Sequence, residues 1–562
     1  MAQYISSKPV VALLLNVCHA YGVKHVILSP GSRNAPLIIS FSGCGLFKCL
    51  SIPDERSAAY FALGLAQTSR KPVAIVCTSG TAALNYAPAV AEAYYQKAPL
   101  IVITSDRPAR MIDQADGQAI RQNGIYQNFI RFQCTLPETD GNDDLRYANR
   151  LLNEAFIAAT GNVQGPVHIN IPFREPLYGK TTYTREVYHK ITAIAHNLQP
   201  SAKAINVLTA EIETCHRIMI LVGADTSNAQ LAAALSLMAQ KGAVVVTETL
   251  SNIRDARFFE NTDRIVSAIE ESEYTLFSPD LLITFDTPVL SRMIKKLIRS
   301  VKPQKHWHFT NNTTVVDTYD SLTRMVAGSP EDALRIVAEK MTDDSRFYET
   351  WKERACITAR FHNDFTANLS WCDLKLFKIL NATTIPYPVI HLGNSTPVRY
   401  AQLFGWSGER TWFANRGTSG IDGCVSTAAG AAFGTAQPVL LITGDLSFLY
   451  DSNGLWHHHL PASFRVIVIN NGGGGIFRYV QGPMETDELE DFFETRQTAH
   501  CKPIAEAFGF ACSACYDEAS FAEALKTFFA QSSKPKLLEV FTPNIENGVV
   551  LKNYFTNLAG IV

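Results

Sequence analysis

Leu441-Ile442-Thr443-Gly444-Asp445-Leu446-Ser447 and, further on, Ile467-Val468-Ile469-Asn470-Asn471-Gly472-Gly473-Gly474-Gly475-Ile476-Phe477 decide the reading of this chain. Each begins as a short apolar run that stops on polar and glycine residues, as a strand does on entering a loop. In a parallel sheet both loops would emerge at the carboxyl edge, where ligands of open α/β sheets bind. One carboxylate, one amide oxygen and a backbone carbonyl suit a hard cation such as magnesium, which keeps part of its octahedral shell for phosphates. The glycine run lets the backbone approach a diphosphate closely. Singly, Gly-Asp after a strand and Asn-Asn-Gly are ordinary turn sequences; the pairing, each directly after an apolar strand, points to a metal–diphosphate site. The glycines lack G-x-G-x-x-G spacing and no acidic residue stands where a ribose partner is expected, which disfavours a nicotinamide or flavin site.

Working outward, short β-branched runs alternate with longer helix-like stretches, the pattern of parallel sheets covered on both faces. The first third predicts strands at His25–Ser29, Val73–Thr78, Leu100–Ser105 and Val167–Ile171, with one helix opened by Asp54 as N-cap and another over Thr81–Gln96. Pro172 to Pro176 followed by polar Gly179–Arg185 marks an exit from this block. The middle third predicts strands at Ile218–Val222, Val244–Thr247 and Leu281–Phe285, then a charged, solvated helical connector near Glu331–Arg360. The last block repeats the grammar at Val389–Leu392, Trp412–Ala414, Val439–Thr443, Val466–Ile469 and Leu537–Phe541. The expectation is an α/β chain of three doubly wound parallel-sheet domains, over 1–180, 190–355 and 370–562.

The 562 residues are 47% apolar, enough for several cores, and the formal net charge of −2 argues against partners held by bulk charge, nucleic acid or membrane surface alike. Twelve cysteines form no framework; Cys512 and Cys515 have C-x-x-C spacing but no second pair, so they read as reduced, packed thiols of a cytoplasmic protein. Val10-Val11-Ala12-Leu13-Leu14-Leu15 imitates a signal-peptide core, but Asn16 and His19 interrupt it and no small-residue cleavage site follows; an N-terminal helix is the better reading. No run approaches the ~20 apolar residues of a membrane span.

The Gly444-Asp445 and Asn470-Asn471 pair resembles the thiamine diphosphate-binding motif of the decarboxylase and carboligase superfamily. That resemblance implies thiamine diphosphate with Mg2+ or Mn2+, and Asp445, Asn471 and the Gly473 carbonyl as metal ligands. It implies a thiamine diphosphate-binding fold in the first and third blocks and a Rossmann-like middle block. It gives Ser79, Ser419, Ile421, Gly444, Asp445, Leu446, Ser447, Asn471, Gly474 and Ile476 cofactor contacts, Ile421 being the bulky residue that bends the cofactor. Such cofactors need one carboxylate against the aminopyrimidine nitrogen. Glu55, in Ile52-Pro53-Asp54-Glu55-Arg56-Ser57-Ala58-Ala59-Tyr60, matches the superfamily's glutamate before an alanine-rich helix; alone it would be a first-turn residue serving the helix dipole. In this superfamily the two halves of one site come from different subunits, which implies at least a homodimer, commonly a tetramer, with Glu55 facing Asp445 across the interface.

Four further motifs narrow the resemblance: Leu28-Ser29-Pro30-Gly31-Ser32-Arg33-Asn34-Ala35-Pro36, Thr104-Ser105-Asp106-Arg107-Pro108, Gly393-Asn394-Ser395-Thr396-Pro397-Val398-Arg399 and Asn415-Arg416-Gly417-Thr418-Ser419-Gly420-Ile421-Asp422-Gly423. They look like those of the 2-succinyl-5-enolpyruvyl-6-hydroxy-3-cyclohexene-1-carboxylate synthase family of menaquinone biosynthesis, whose substrates are 2-oxoglutarate and isochorismate. An acetolactate synthase-like carboligase is the alternative; it would share Glu55 and the metal motif but need not carry these arginines. Both substrates are dicarboxylates, and planar guanidinium groups bind carboxylates bidentately. Arg33, Arg107, Arg399 and Arg416 would recognise them, helped by Ser32, Gln118 and Ser395, with Ile476 and Phe477 lining the reacting centre. Two departures stand out. The family's middle domain supplies a lysine, where Pro288-Val289-Leu290-Ser291-Arg292 offers Arg292, and Gly117 precedes Gln118 where some members have Asn. His457-His458-His459 reads as consecutive helical residues pointing in different directions, hence structural or partner-facing.

Overall fold

The computed structural model describes residues 3–139, 141–183, 189–193, 199–224, 228–480 and 482–561. Three parallel sheets organise the chain. The first has the order Lys48–Ser51, His25–Leu28, Val73–Cys77, Leu100–Asp106, Val167–Pro172, Phe132–Thr135. The third repeats that order: Thr411–Phe413, Val389–Leu392, Val439–Gly444, Arg465–Asn470, Lys536–Phe541, Ala511–Cys515. Between them in sequence lies a five-stranded sheet, Val244–Val246, Ile218–Leu221, Leu281–Phe285, Lys305–Phe309, Arg324–Val326. Every pairing inside these three sheets is parallel.

Successive strand residues feed opposite cores, as a pleat buried on both faces requires. Ile27 and Ile75 enter one core while Val26, Ala74 and Val76 enter another. In the third sheet Leu441, Val466 and Val468 share the core of Ile27, and Leu440, Ile442 and Ile467 build a separate one. The first and third sheets thus meet in one core, through helices Glu55–Ser69 and Cys424–Gly434. These helices cross with backbones almost touching: a Cβ on Gly64 would collide with the Thr427 carbonyl, and one on Gly430 with the Phe61 carbonyl. The middle sheet has its own two cores, Ile218 and Ile220 on one face, Met219 and Leu221 on the other.

All the expected strands are present, and Asp54 caps Glu55–Ser69 by accepting from Ser57 N at 3.0 Å. The apolar stretch at the start is the helix Pro9–Ala20. Three expectations need correction. The helix expected over Thr81–Gln96 is two, Thr81–Asn85 and Ala87–Tyr95, because Pro88 has no N–H for a continuous ladder. The charged stretch near Glu331–Arg360 is no solvated connector: Arg346–Ala367 buries Phe347, Trp351, Arg354, Thr358 and His362 along one face, with Arg354 paired to Glu273 at 2.6 Å. His457–His459 follows a short 3-10 turn rather than lying on an α-helix; the His457 ring packs edge-on against Phe61 and His459 against Phe433. The exit after Pro176 returns to the start of the chain, Lys180–Thr182 pairing antiparallel with Tyr4–Ser6, while Arg185 falls outside the described residues. All twelve cysteines are free thiols, and among the described residues no helix is long and apolar enough to cross a membrane.

Candidate active site

Asn470 and Asn471 end one strand but are held very differently. The Asn470 amide is satisfied at both ends: Nδ2 donates to Glu539 Oε1 at 2.7 Å and to the Ala499 carbonyl, and Oδ1 accepts from Gly472 N and Gln497 Nε2, each at 3.2 Å. It is a structural brace. Asn471 donates through Nδ2 to Asp373 at 3.3 Å, and its Oδ1 is buried with no partner among the described residues. A buried amide oxygen without a donor costs free energy unless something else binds it.

Asp445 opens the neighbouring loop from the next strand. Its Oδ1 accepts from Leu446 N at 2.8 Å and its Oδ2 from Gln497 Nε2 at 2.6 Å. Burial pushes this carboxyl up to about 6, an environment in which a cation is a favoured neighbour. Gly472 and Gly473 take φ of 77° and 148°, and a Cβ on Gly473 would lie 2.8 Å from the Glu494 carbonyl, so the loop tolerates no side chain there. A carboxylate and an unpartnered amide oxygen, beside a Gly473 carbonyl that accepts only from Gly475 N at 3.0 Å and keeps its second lone pair, form a hard-oxygen donor set, which fits a Mg2+ or Mn2+ ion carrying a diphosphate. Ser447 sits beside them, donating to the Ile421 carbonyl at 3.1 Å.

The other expected residues fall into two groups. At the carboxyl edge of the first sheet, Arg33 is buried, donates to the Phe173 carbonyl at 3.0 Å and pairs with Glu175 at 3.3 Å. Burial and neighbouring Arg107 lower its pKa, and Arg107 itself donates to the Gly117 carbonyl at 2.8 Å. Ser79 is buried with a free Oγ; Ser32 and Gln118 are exposed, and Gln118 adopts φ 57° against Gly80. Glu55 begins its helix half-buried, and burial raises its pKa although its own backbone N–H and Asn85 oppose the shift.

At the carboxyl edge of the third sheet, Ser395 takes φ 73° and its carbonyl accepts from Arg399 at 2.5 Å. Arg416 donates to Asn394 Oδ1 at 3.0 Å; burial, then Arg399, lowers its pKa. Neither Arg399 nor Arg416 forms a salt bridge among the described residues. Ile421, Gly474, Ile476 and Phe477 are partly buried, with Phe477 against Phe493 at 5.9 Å, while Ser419 is exposed at φ 65°. No hydrogen bond or salt bridge among the described residues joins the Arg33–Arg107 group to the Asp445–Asn471 group.

The middle sheet contributes the helix Arg292–Val301, whose amino end is tied down by buried Glu248 accepting from Leu290 N and Ser291 N at 2.7 Å each. Arg292 is exposed; one turn on, Lys295 is half-buried, donates to the Val289 carbonyl at 2.6 Å, and has its pKa lowered by burial with Arg416 and Arg292 among its electrostatic neighbours. The Pro288–Arg292 match ends one turn short of Lys295, and the i, i+3 spacing on one helix is the sequence signal that relates Arg292 to it. Glu92, Asp373 and Gln497 carry no motif.

Comparison with known proteins agrees with this geometry. Residues 9–129 match the thiamine pyrophosphate enzyme N-terminal TPP binding domain, and residues 393–540 the thiamine pyrophosphate enzyme C-terminal TPP binding domain. A 2-succinyl-5-enolpyruvyl-6-hydroxy-3-cyclohexene-1-carboxylate synthase of Flavobacterium psychrophilum is 40% identical over 98% of this chain and 99% of its own length. The proteins of that name from Porphyromonas gingivalis (40% identical, 99% and 98%) and Christiangramia forsetii (38%, 98% and 99%) align as fully. With both thiamine pyrophosphate domains in place and identity at this level from end to end, the chain belongs to the 2-succinyl-5-enolpyruvyl-6-hydroxy-3-cyclohexene-1-carboxylate synthase family.

Proposed function

We propose that the protein decarboxylates 2-oxoglutarate and adds the resulting succinyl-semialdehyde carbanion to isochorismate by 1,4-addition, a carboligation of menaquinone biosynthesis in the cytoplasm. The observation that carries this over an acetolactate synthase-like reading is that Lys295 and Arg416 line one cavity with Arg399 near Arg416; Glu248 and Glu92 lie close, but neither arginine forms a salt bridge among the described residues. Grouped, partly buried guanidinium groups call for anionic ligands, and a dicarboxylate brings two. A pyruvate-only enzyme has no use for the second.

When bound, thiamine diphosphate supplies the electron sink for decarboxylation and the nucleophilic carbon for bond formation. Asp445, Asn471 and the Gly473 carbonyl would hold the metal, and Ser79, Ser419, Ile421, Gly444, Leu446, Ser447 and Gly474 would line the cofactor. Glu55 would hold a proton against the aminopyrimidine nitrogen, a task suited to a carboxyl whose pKa burial has raised. Arg33, Arg107, Arg399 and Arg416, with Ser32, Gln118, Ser395 and Arg292, orient substrate carboxylates, while Ile476 and Phe477 exclude water from the reacting carbons. The division into 1–180, 190–355 and 370–562 assigns the pyrimidine half to the first domain and the diphosphate half to the third. Among the described residues neither Glu55 nor Arg33 forms a hydrogen bond or salt bridge with Asp445 or Asn471 of its own chain, which supports a homo-oligomer whose sites lie between subunits.

The test is product formation from 2-oxoglutarate plus isochorismate, against pyruvate alone, by wild type and Glu55→Gln. Turnover of the dicarboxylate pair that Glu55→Gln abolishes is expected; preference for pyruvate, or a near-wild-type rate in the variant, overturns the reading.

A further inference from the structure

Asp373 is the first residue of the helix Asp373–Ala382 and is 1% exposed, with no salt bridge among the described residues. It is nonetheless tightly held. One carboxylate oxygen accepts from Thr542 Oγ1 at 2.6 Å, the other from Asn471 Nδ2 at 3.3 Å, and its own N–H donates to Asn547 Oδ1 at 2.8 Å. On the same side Asn544 Nδ2 donates to the Asn471 carbonyl at 2.8 Å, so backbone and side chain of Asn471 are braced by separate residues. Burying a carboxylate without a cation is unfavourable, and a structural brace could be built from an amide, as Asn547 shows. A charge here needs a reason.

The reason lies at the other end of the Asn471 amide. That group can present either its oxygen or its NH2 to the loop, and only the NH2 can meet a carboxylate. Turning the amide over would set Oδ1 against the Asp373 carboxylate, with two acceptors facing each other. Asp373 therefore fixes which end points forward, and the forward end is the buried, unpartnered Oδ1. A negative charge behind the amide also draws electron density toward Oδ1 and strengthens it as a donor to a cation, as groups hydrogen-bonded behind metal ligands do. Asn470, by contrast, has Glu539 on its NH2 but Gln497 and Gly472 on its oxygen.

We infer that Asp373 is a positioning residue for the divalent-cation site, holding the Asn471 amide oxygen toward the metal and polarising it. This deepens the functional reading above and rests on Asp445 and Asn471 being the metal ligands.

The test is Mn2+ binding, followed by electron paramagnetic resonance in the presence of thiamine diphosphate, for the full-length protein and its Asp373→Asn, Asp373→Glu, Thr542→Val and Asp445→Ala variants, with thermal unfolding measured alongside. Asp373→Asn is expected to weaken Mn2+ about 10–100-fold, Thr542→Val less, and Asp373→Glu to recover part of the loss. Should Asp373→Asn fail to fold, Thr542→Val carries the test. Wild-type Mn2+ affinity in the Asp373→Asn and Thr542→Val proteins, with binding lost in Asp445→Ala, overturns the positioning role alone. Unchanged binding in Asp445→Ala overturns the metal site itself, and the inference with it.

Discussion

Glu92 and Thr418, far apart in sequence, are joined by two hydrogen bonds to a single carboxylate oxygen: Glu92 Oε2 accepts from the Thr418 backbone N–H and from its hydroxyl, each at 2.6 Å. The other oxygen accepts from Gly417 N at 2.8 Å, and Glu92 is fully buried. A side chain of the first sheet's helices thus holds the loop of the third that begins with Arg416 and runs to Ile421. Glu92→Gln keeps the size but turns one acceptor into a donor facing an N–H. A buried group left unsatisfied costs about 1–3 kcal/mol, so kcat/KM is expected to fall about 10–100-fold, with the loss larger than in Glu175→Gln, whose carboxylate is exposed. Steady-state kinetics on both variants checks this.

The crossing of helices Glu55–Ser69 and Cys424–Gly434 leaves no room for a methyl group at Gly64 or Gly430. Overpacking of a close-packed core costs about 1–3 kcal/mol. Gly64→Ala is expected to lower the urea midpoint accordingly, whereas Gly509→Ala, which meets no neighbouring atom, is expected to lose only what its positive φ of 87° demands. Equilibrium denaturation of both proteins separates clash from backbone strain.

Four buried histidines are held neutral. Burial lowers His168, His362 and His391 to about 3 and His306 to about 4, from an ordinary value of 6.5. The native state binds fewer protons than the unfolded state between those limits, so stability is complete above pH 6.5 and falls as pH drops toward 3. His391 stacks on Phe413 with its Nε2 unpartnered. His391→Phe is expected to lose less melting temperature than wild type between pH 8 and pH 5, which thermal unfolding across that range would show.

Lys295 and Lys296 are neighbours on one helix with different surroundings: Lys295 is half-buried near Arg416, and Lys296 is exposed. Lys295→Met is expected to raise the KM for a dicarboxylate substrate about tenfold, the equivalent of losing about 1.4 kcal/mol of binding, and Lys296→Met to leave it unchanged. Equal effects would show that bulk positive charge, not position, is what the helix contributes.

Much was legible in the sequence because it is encoded locally. Apolar runs ending in Gly444-Asp445 and Asn470-Asn471, the Asp54 cap before Glu55 and the alternation of strand and helix each depend on residues within one or two turns of one another. The strands that left no clear signal were mainly edge strands or polar ones. Lys48–Ser51 buries only Leu50 fully, and Lys305–Phe309 carries a lysine and two histidines whose rings are satisfied by Thr284 and Asp286 from the adjacent strand and its loop.

Sequence alone determined the three-sheet architecture, the family and the residue types at the carboxyl edges. Only the tertiary structure decided which of two adjacent asparagines keeps a free oxygen, that Glu92 holds the loop beginning at Arg416, that Asp373 stands behind Asn471, and that Lys295 lies beside Arg416. Periodicity and turn chemistry are properties of neighbouring residues and are written along the chain. The partner that fixes a side chain's direction comes from a distant segment, and no local pattern names it until the sheets pack.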